Sequence, residues 1–152
     1  MSLCLGRIFS KAGHSWDDVG DSKKAELSFS QALEALQSKA LESDSWRAQK
    51  LFVMSSLFVW KASAAWRLRG REETLTCIAK ANEFFWEAFN TAGSGGNVSP
   101  DAEDAADALS DACLSISVDL FSEKAFVEAL SLLNVNKFSF HNSYFNSISH
   151  IH

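Results

Sequence analysis

Gly20 to Glu34 reads Gly-Asp-Ser-Lys-Lys-Ala-Glu-Leu-Ser-Phe-Ser-Gln-Ala-Leu-Glu, and this stretch constrains the fold more than any other. Ala25, Phe29 and Ala32 are spaced four and then three apart behind a Gly-Asp turn, so they lie on one helical stripe. The alanines allow a second helix to approach closely, and Phe29 fills the space beside them. Upstream of the turn, Phe9, Ala12, Gly13 and Trp16 keep the same three-four spacing. Two helices with matching small-and-large faces around a glycine turn make an antiparallel pair.

The pattern recurs. Gly70 is expected to end a later helix as Gly20 ends the first, with Trp66 four residues before it as Trp16 is before Gly20. Thr74, Ile78 and Ala81 then take the places of Ala25, Phe29 and Ala32, after a turn one residue shorter. A fainter third copy is expected at Ala125, Ala129 and Leu132. The anchors Ala25, Thr74 and Ala125 are roughly fifty residues apart, which signals a helical repeat. With a single Pro and little strand-type alternation, the expected fold is all-α: antiparallel helix pairs stacked as a solenoid segment.

Six helices are expected. The first covers Ser2 to Asp18, and the second, capped by Ser22, runs to about Lys39. The third starts at a cap at Ser43 or Asp44 and reaches about Arg69. Its apolar residues, among them Phe52, Val53, Leu57, Val59 and Trp60, wrap most of its circumference, which predicts a middle helix covered on several sides. The fourth continues through Phe84, Phe85 and Ala88 to a Gly-rich loop at Thr91 to Ser99. Ser99-Pro100 is a strong start for the fifth, and a last helix spans about Ser122 to Leu133. Residues 1–133 form the repeat segment in this reading. Residues 134–152, rich in Ser, Asn, His and Phe and without helical period, read as an irregular tail of the kind expected at an alternative end of a longer protein.

Charge and chemistry narrow the function classes. A net charge of -5 argues against non-specific nucleic-acid binding, which needs a basic surface. The most apolar stretch, Leu51 to Trp60, is too short to span a bilayer, which takes about 20 apolar residues. Three scattered cysteines, Cys4, Cys77 and Cys113, imply no disulfide framework and suit a reducing compartment, with Cys77 and Cys113 as small core residues. The tail histidines His141, His150 and His152 lack ligand spacing, and His14 reads as a partly exposed packing residue. Gly93 to Gly96 lacks a phosphate-loop ending, and the Asn97-Val98-Ser99 sequon goes unused inside a cell. Asp101, Glu103, Asp104, Asp107 and Asp111 read as a solvated, dipole-favoured helix face on which a basic partner could dock. The five tryptophans read as core, with Trp46 and Trp86 as less clearly placed surface anchors. No catalytic, cofactor or metal residues are assigned and no small-molecule substrate is expected. Trp16, Gly20, Ala25, Phe29, Ala32, Trp66, Gly70 and Ala81 are assigned as structural repeat positions.

Helix pairs of this form resemble tetratricopeptide (TPR) units. A closer resemblance is to the meiotic TPR scaffold family of the sporulation-specific and Zip-four type, including its plant crossover proteins. It is carried by Ala12-Gly13-His14-Ser15-Trp16-Asp17-Asp18-Val19-Gly20-Asp21, by Ala25 with Phe29, and by Gln31-Ala32-Leu33-Glu34. The second unit adds Trp60-Lys61-Ala62-Ser63-Ala64-Ala65-Trp66 and Ala79-Lys80-Ala81-Asn82-Glu83. The resemblance implies a non-enzymatic scaffold for meiotic recombination and crossover formation, located on chromosomes in the nucleus, with recombination or chromosome-axis proteins as partners. The alternatives are a general intracellular TPR adaptor, which places the chain in the cytoplasm, and a small helical enzyme, which a deep pocket of clustered ionisable groups would favour.

Overall fold

The computed structural model describes residues 2–37, 44–92 and 99–135. Among them every regular element is a helix: α1 (Ser2–Asp18), α2 (Ser22–Leu36), α3 (Asp44–Arg67), α4 (Arg71–Ala92), α5 (Pro100–Ser122) and α6 (126–135). The helices pack as the pairs α1/α2, α3/α4 and α5/α6. The third helix contacts α1, α2, α4 and α5, as its all-round apolar surface requires.

The three pairs turn in the same way. Backbone N–H groups of Asp21, Gly70 and Ala125 donate to the carbonyls of Trp16, Ala65 and Leu120. Those of Gly20, Arg69 and Lys124 donate to Asp17, Trp66 and Phe121. This double bond pattern closes a helix around one left-handed residue, and that residue is Gly20 (φ 83), Arg69 (φ 62) or Lys124 (φ 64). Next, the carbonyls of Asp21, Gly70 and Ala125 accept from Ala25, Thr74 and Ala129, which opens the second helix of each pair. Asp21, Gly70 and Ala125 are therefore equivalent positions, and so are Ala25, Thr74 and Ala129.

This register corrects several sequence expectations. Gly20 and Gly70 are neighbours in the motif, not equivalents, because Arg69 takes the left-handed place that Gly20 fills. The second turn is thus no shorter than the first, and Trp16 corresponds to Ala65 while Trp66 corresponds to Asp17. The third anchor is Ala129, not Ala125, which sits in the turn. Asp21 rather than Ser22 caps α2, its side chain accepting from the Lys24 N–H at 3.1 Å. The fifth helix runs on through Ser122, and α6 begins at 126 and includes Asn134 and Val135. The remaining tail residues, its three histidines, the Gly93–Gly96 loop and the Asn97 sequon lie outside the described residues.

Within each pair, small residues set the helix separation. Ala25, Ala32, Ala62, Ala64 and Ala81 are fully buried, and Phe29 is buried between them. The Ser55 hydroxyl donates to the Ala81 carbonyl at 2.7 Å, which satisfies a buried polar group across the α3/α4 crossing. A second apolar cluster, with Phe52 edge-on to Phe85 at 5.6 Å, joins α3 and α4 to Ala102, Ala105 and Ala106 at the start of α5. There Ser99 caps the helix by accepting from the Ala102 N–H at 3.2 Å, ahead of Pro100.

The tryptophans are not the core. Trp16 and Trp46 are exposed, and Trp60, Trp66 and Trp86 are half-buried. Trp16 carries the Lys24 ammonium 4.3 Å from its ring centroid, a cation–π contact at the surface. Trp60 closes over His14 (4.4 Å between centroids) and Phe29 (5.9 Å), joining α3 to the first pair. The core is built from alanines, aliphatic residues and the phenylalanines Phe29, Phe52, Phe58 and Phe85, with Trp60 and Trp66 packed against it.

Candidate protein-binding faces

Asp17 and Trp66, which share one place in the turn, each reach across to the next pair, although their partners Arg67 and Asp119 are not equivalent. Asp17 of α1 forms an ion pair with Arg67 of α3, whose guanidinium also donates to the Ser22 hydroxyl at 3.2 Å. Trp66, in the place of Asp17, donates its indole N–H to Asp119 of α5 at 2.7 Å. In α5 that place belongs to Phe121, and it is 64% exposed. Around it Leu114 and Val118 of α5, and Phe126, Val127, Leu130 and Leu133 of α6, are also exposed. The Phe121 and Phe126 rings meet edge-on at 4.9 Å. Leu133 is 38% exposed, whereas its equivalents Ile78 and Phe29 are 1% exposed each. Leu114 and Leu133 are thus exposed at places where the second pair buries Val59 and Ile78. The N-terminal half of the same α5 stripe carries Asp104, Asp107 and Asp111, all exposed, as the solvated-face reading expects.

Two clefts hold the charged groups. One, of about 580 Å³, lies at the turn between α3 and α4 and is lined by Trp66, Arg67, Arg69, Arg71 and Asp119 among others. Arg71 reaches both Glu123 and Glu128, the latter at 3.6 Å, and so ties α4 to the third pair. The other, of about 530 Å³, is lined by Phe58, Lys61, Glu73, Cys77 and Lys80. Beside it Glu26 of α2 shares a hydrogen bond with Glu73 of α4, and Lys61 of α3 stands 3.9 Å from Glu73. Burial raises the Glu26 pKa above the ordinary carboxyl value, and the hydrogen bond and charge of Glu73 add to the rise against the pull of Lys61. This carboxyl pair escaped the sequence reading because its members lie on different helices with no local motif around either.

Cys77 opens on that cleft, but burial raises its pKa, and Cys113 is pushed up to about 12 by the same cause. Both stay protonated at neutral pH and behave as packing residues. No group of His, Cys, Asp or Glu among the described residues is arranged to hold a metal ion. No helix among them is long and apolar enough to cross a membrane.

Of the assigned repeat positions, Ala25, Phe29, Ala32 and Ala81 come together in the core and Gly20 takes its left-handed turn. Trp66 bridges pairs, Gly70 opens α4, and Trp16 lies on the surface. No family model, curated protein or solved structure matches the chain.

Proposed function

We propose that this chain is a non-enzymatic, TPR-like helical-repeat scaffold that binds other proteins and acts in meiotic recombination and crossover formation. The observation that carries the scaffold reading is the recurrence of one turn in all three pairs, with Asp17 and Trp66, which share a place in it, each reaching across to the next pair. Elements that touch mainly their neighbours and leave a seating face at the end suit stacking and partner docking. The meiotic role, the nuclear location and the recombination or chromosome-axis partners rest on the resemblance of Ala12 to Asp21 and of Trp60 to Trp66 to the meiotic scaffold family.

Capture of proteins from meiotic tissue tests this reading, with Ala25→Phe as the variant that disrupts the α1/α2 pair. Recombination or chromosome-axis proteins held by the natural chain and lost by the variant are the expected result. Equal capture from vegetative tissue favours the general adaptor. The Glu26–Glu73 pair is the one observation that favours an enzyme, since two close carboxyls can share a proton. Retained partner capture by a Glu26→Gln, Glu73→Gln chain is the outcome expected of a scaffold.

A further inference from the structure

The two ends of the described stack are complementary in register. At the α1 end, Leu5 and Ile8 are 43% and 58% exposed. By the turn equivalence, Leu5 corresponds to Met54 and Leu109, and Ile8 to Leu57 and Ala112, all of which are buried. Arg7 and Lys11 are exposed beside them, and α1 has no acidic residue before Asp17. At the other end, Leu114, Val118 and Phe121 continue a stripe that begins with Asp104, Asp107 and Asp111. One end therefore offers an apolar strip with basic residues, and the other an apolar strip with acidic ones.

We propose that a second copy of this chain seats its α1 on the α5/α6 face, so that the protein associates head to tail. The existing junctions supply the geometry. His14 meets Trp60 where the first pair joins the second, and the equivalent positions across the new junction are Val118 and Lys11 of the second copy. The aliphatic stem of Lys11 covers Val118 while its ammonium stays in solvent. Leu5 and Ile8 are covered at the new junction as Met54 and Leu57 are covered in the folded chain. A contact between unlike faces leaves one of each face free at the ends, so growth continues beyond a dimer. This contact rests on the helical-repeat reading, because it is that reading which makes the two ends equivalent to an internal junction.

Sedimentation of the full chain from about 1 µM to about 1 mM tests the contact. The average mass is expected to rise with concentration and to pass the dimer. Ile8→Glu and Val118→Glu are each expected to weaken association roughly tenfold or more. Both side chains are exposed, so the helical circular dichroism and Tm stay unchanged. A mixture of the two variants is expected to form dimers and nothing longer, because one intact junction survives between them. A mass that stays at monomer over the whole range overturns the proposal, including the case in which residues 136–152 cover the face. A mass that saturates at dimer and ignores Ile8→Glu also overturns it, and assigns pairing of two α5/α6 faces instead. A monomeric chain that still captures meiotic partners keeps the scaffold function and removes only this contact, whereas an associating chain that captures none does the reverse.

Discussion

Gly13 of α1 lies directly against the ring of Phe29 in α2, so closely that a Cβ at position 13 would stand 2.5 Å from Cε1 of that ring. The ring has little room to retreat, since His14 meets it at 5.2 Å and Trp60 at 5.9 Å between centroids. Replacing Gly by Ala inside a helix ordinarily stabilises by about 1 kcal/mol. Overpacking a tight core costs about 1–3 kcal/mol, so Gly13→Ala is expected to lower stability despite its better helix propensity. Urea unfolding measures the difference, and a second change, Phe29→Leu, is expected to recover part of the loss by making room. A more stable Gly13→Ala chain would contradict the close approach.

The turns make a signed prediction at two equivalent positions. Arg69 holds a left-handed backbone that Gly20 holds in the first turn. Arg69→Gly is therefore expected to stabilise by about 1 kcal/mol, and Gly20→Ala to destabilise by a similar amount. Thermal unfolding of the two variants should shift Tm in opposite directions. Shifts of the same sign would mean that the two turns differ.

Glu26 adds a pH dependence. Burial first, then Glu73, raise its pKa in the folded chain, so the folded state holds the proton more tightly than the unfolded one. Stability from this group is full below the ordinary carboxyl pKa and is lost as pH rises through the raised folded value. Glu26→Gln is therefore expected to raise Tm at neutral pH and to leave it nearly unchanged near about pH 3.5. The gain stays below about 1 kcal/mol because Glu26 is only half-buried and solvent screens its charge in part. A variant less stable at neutral pH would show that the ionised group is favoured there by Lys61.

The thiols provide a test of packing. Cys4 is exposed, whereas Cys77 and Cys113 are buried. A thiol-specific reagent at neutral pH is expected to modify Cys4 quickly, and Cys113 only as fast as the chain opens. Fast modification of Cys113 in the folded chain would place it outside the core.

Burial of Ala25 and Phe29 was legible in the sequence because three-four spacing reports directly on which residues share a helix face. The start of α5 was legible for a similar local reason, as Ser99 and Pro100 act within one turn. Side-chain size does not report depth, so the sequence does not distinguish exposed Trp16 from half-buried Trp66. Alanines, aliphatic residues and phenylalanines fill the centre here, whereas Trp60 and Trp66 bridge helix pairs at its edge. The end face was not legible either, since Leu114, Val118 and Phe121 have the spacing of any buried stripe.

The sequence by itself determined that the chain is helical and where most of its helices run, because periodicity, caps and turn residues act over a few neighbours. Tertiary structure alone decided which residues of the three turns are equivalent. It put Arg69 rather than Gly70 in the place of Gly20, and Ala129 rather than Ala125 in the place of Ala25. It also decided which apolar stripes are covered and brought Glu26 to Glu73. The physical reason is that a helix fixes its own hydrogen bonds from within, whereas burial and charge coupling depend on what a distant part of the chain places opposite.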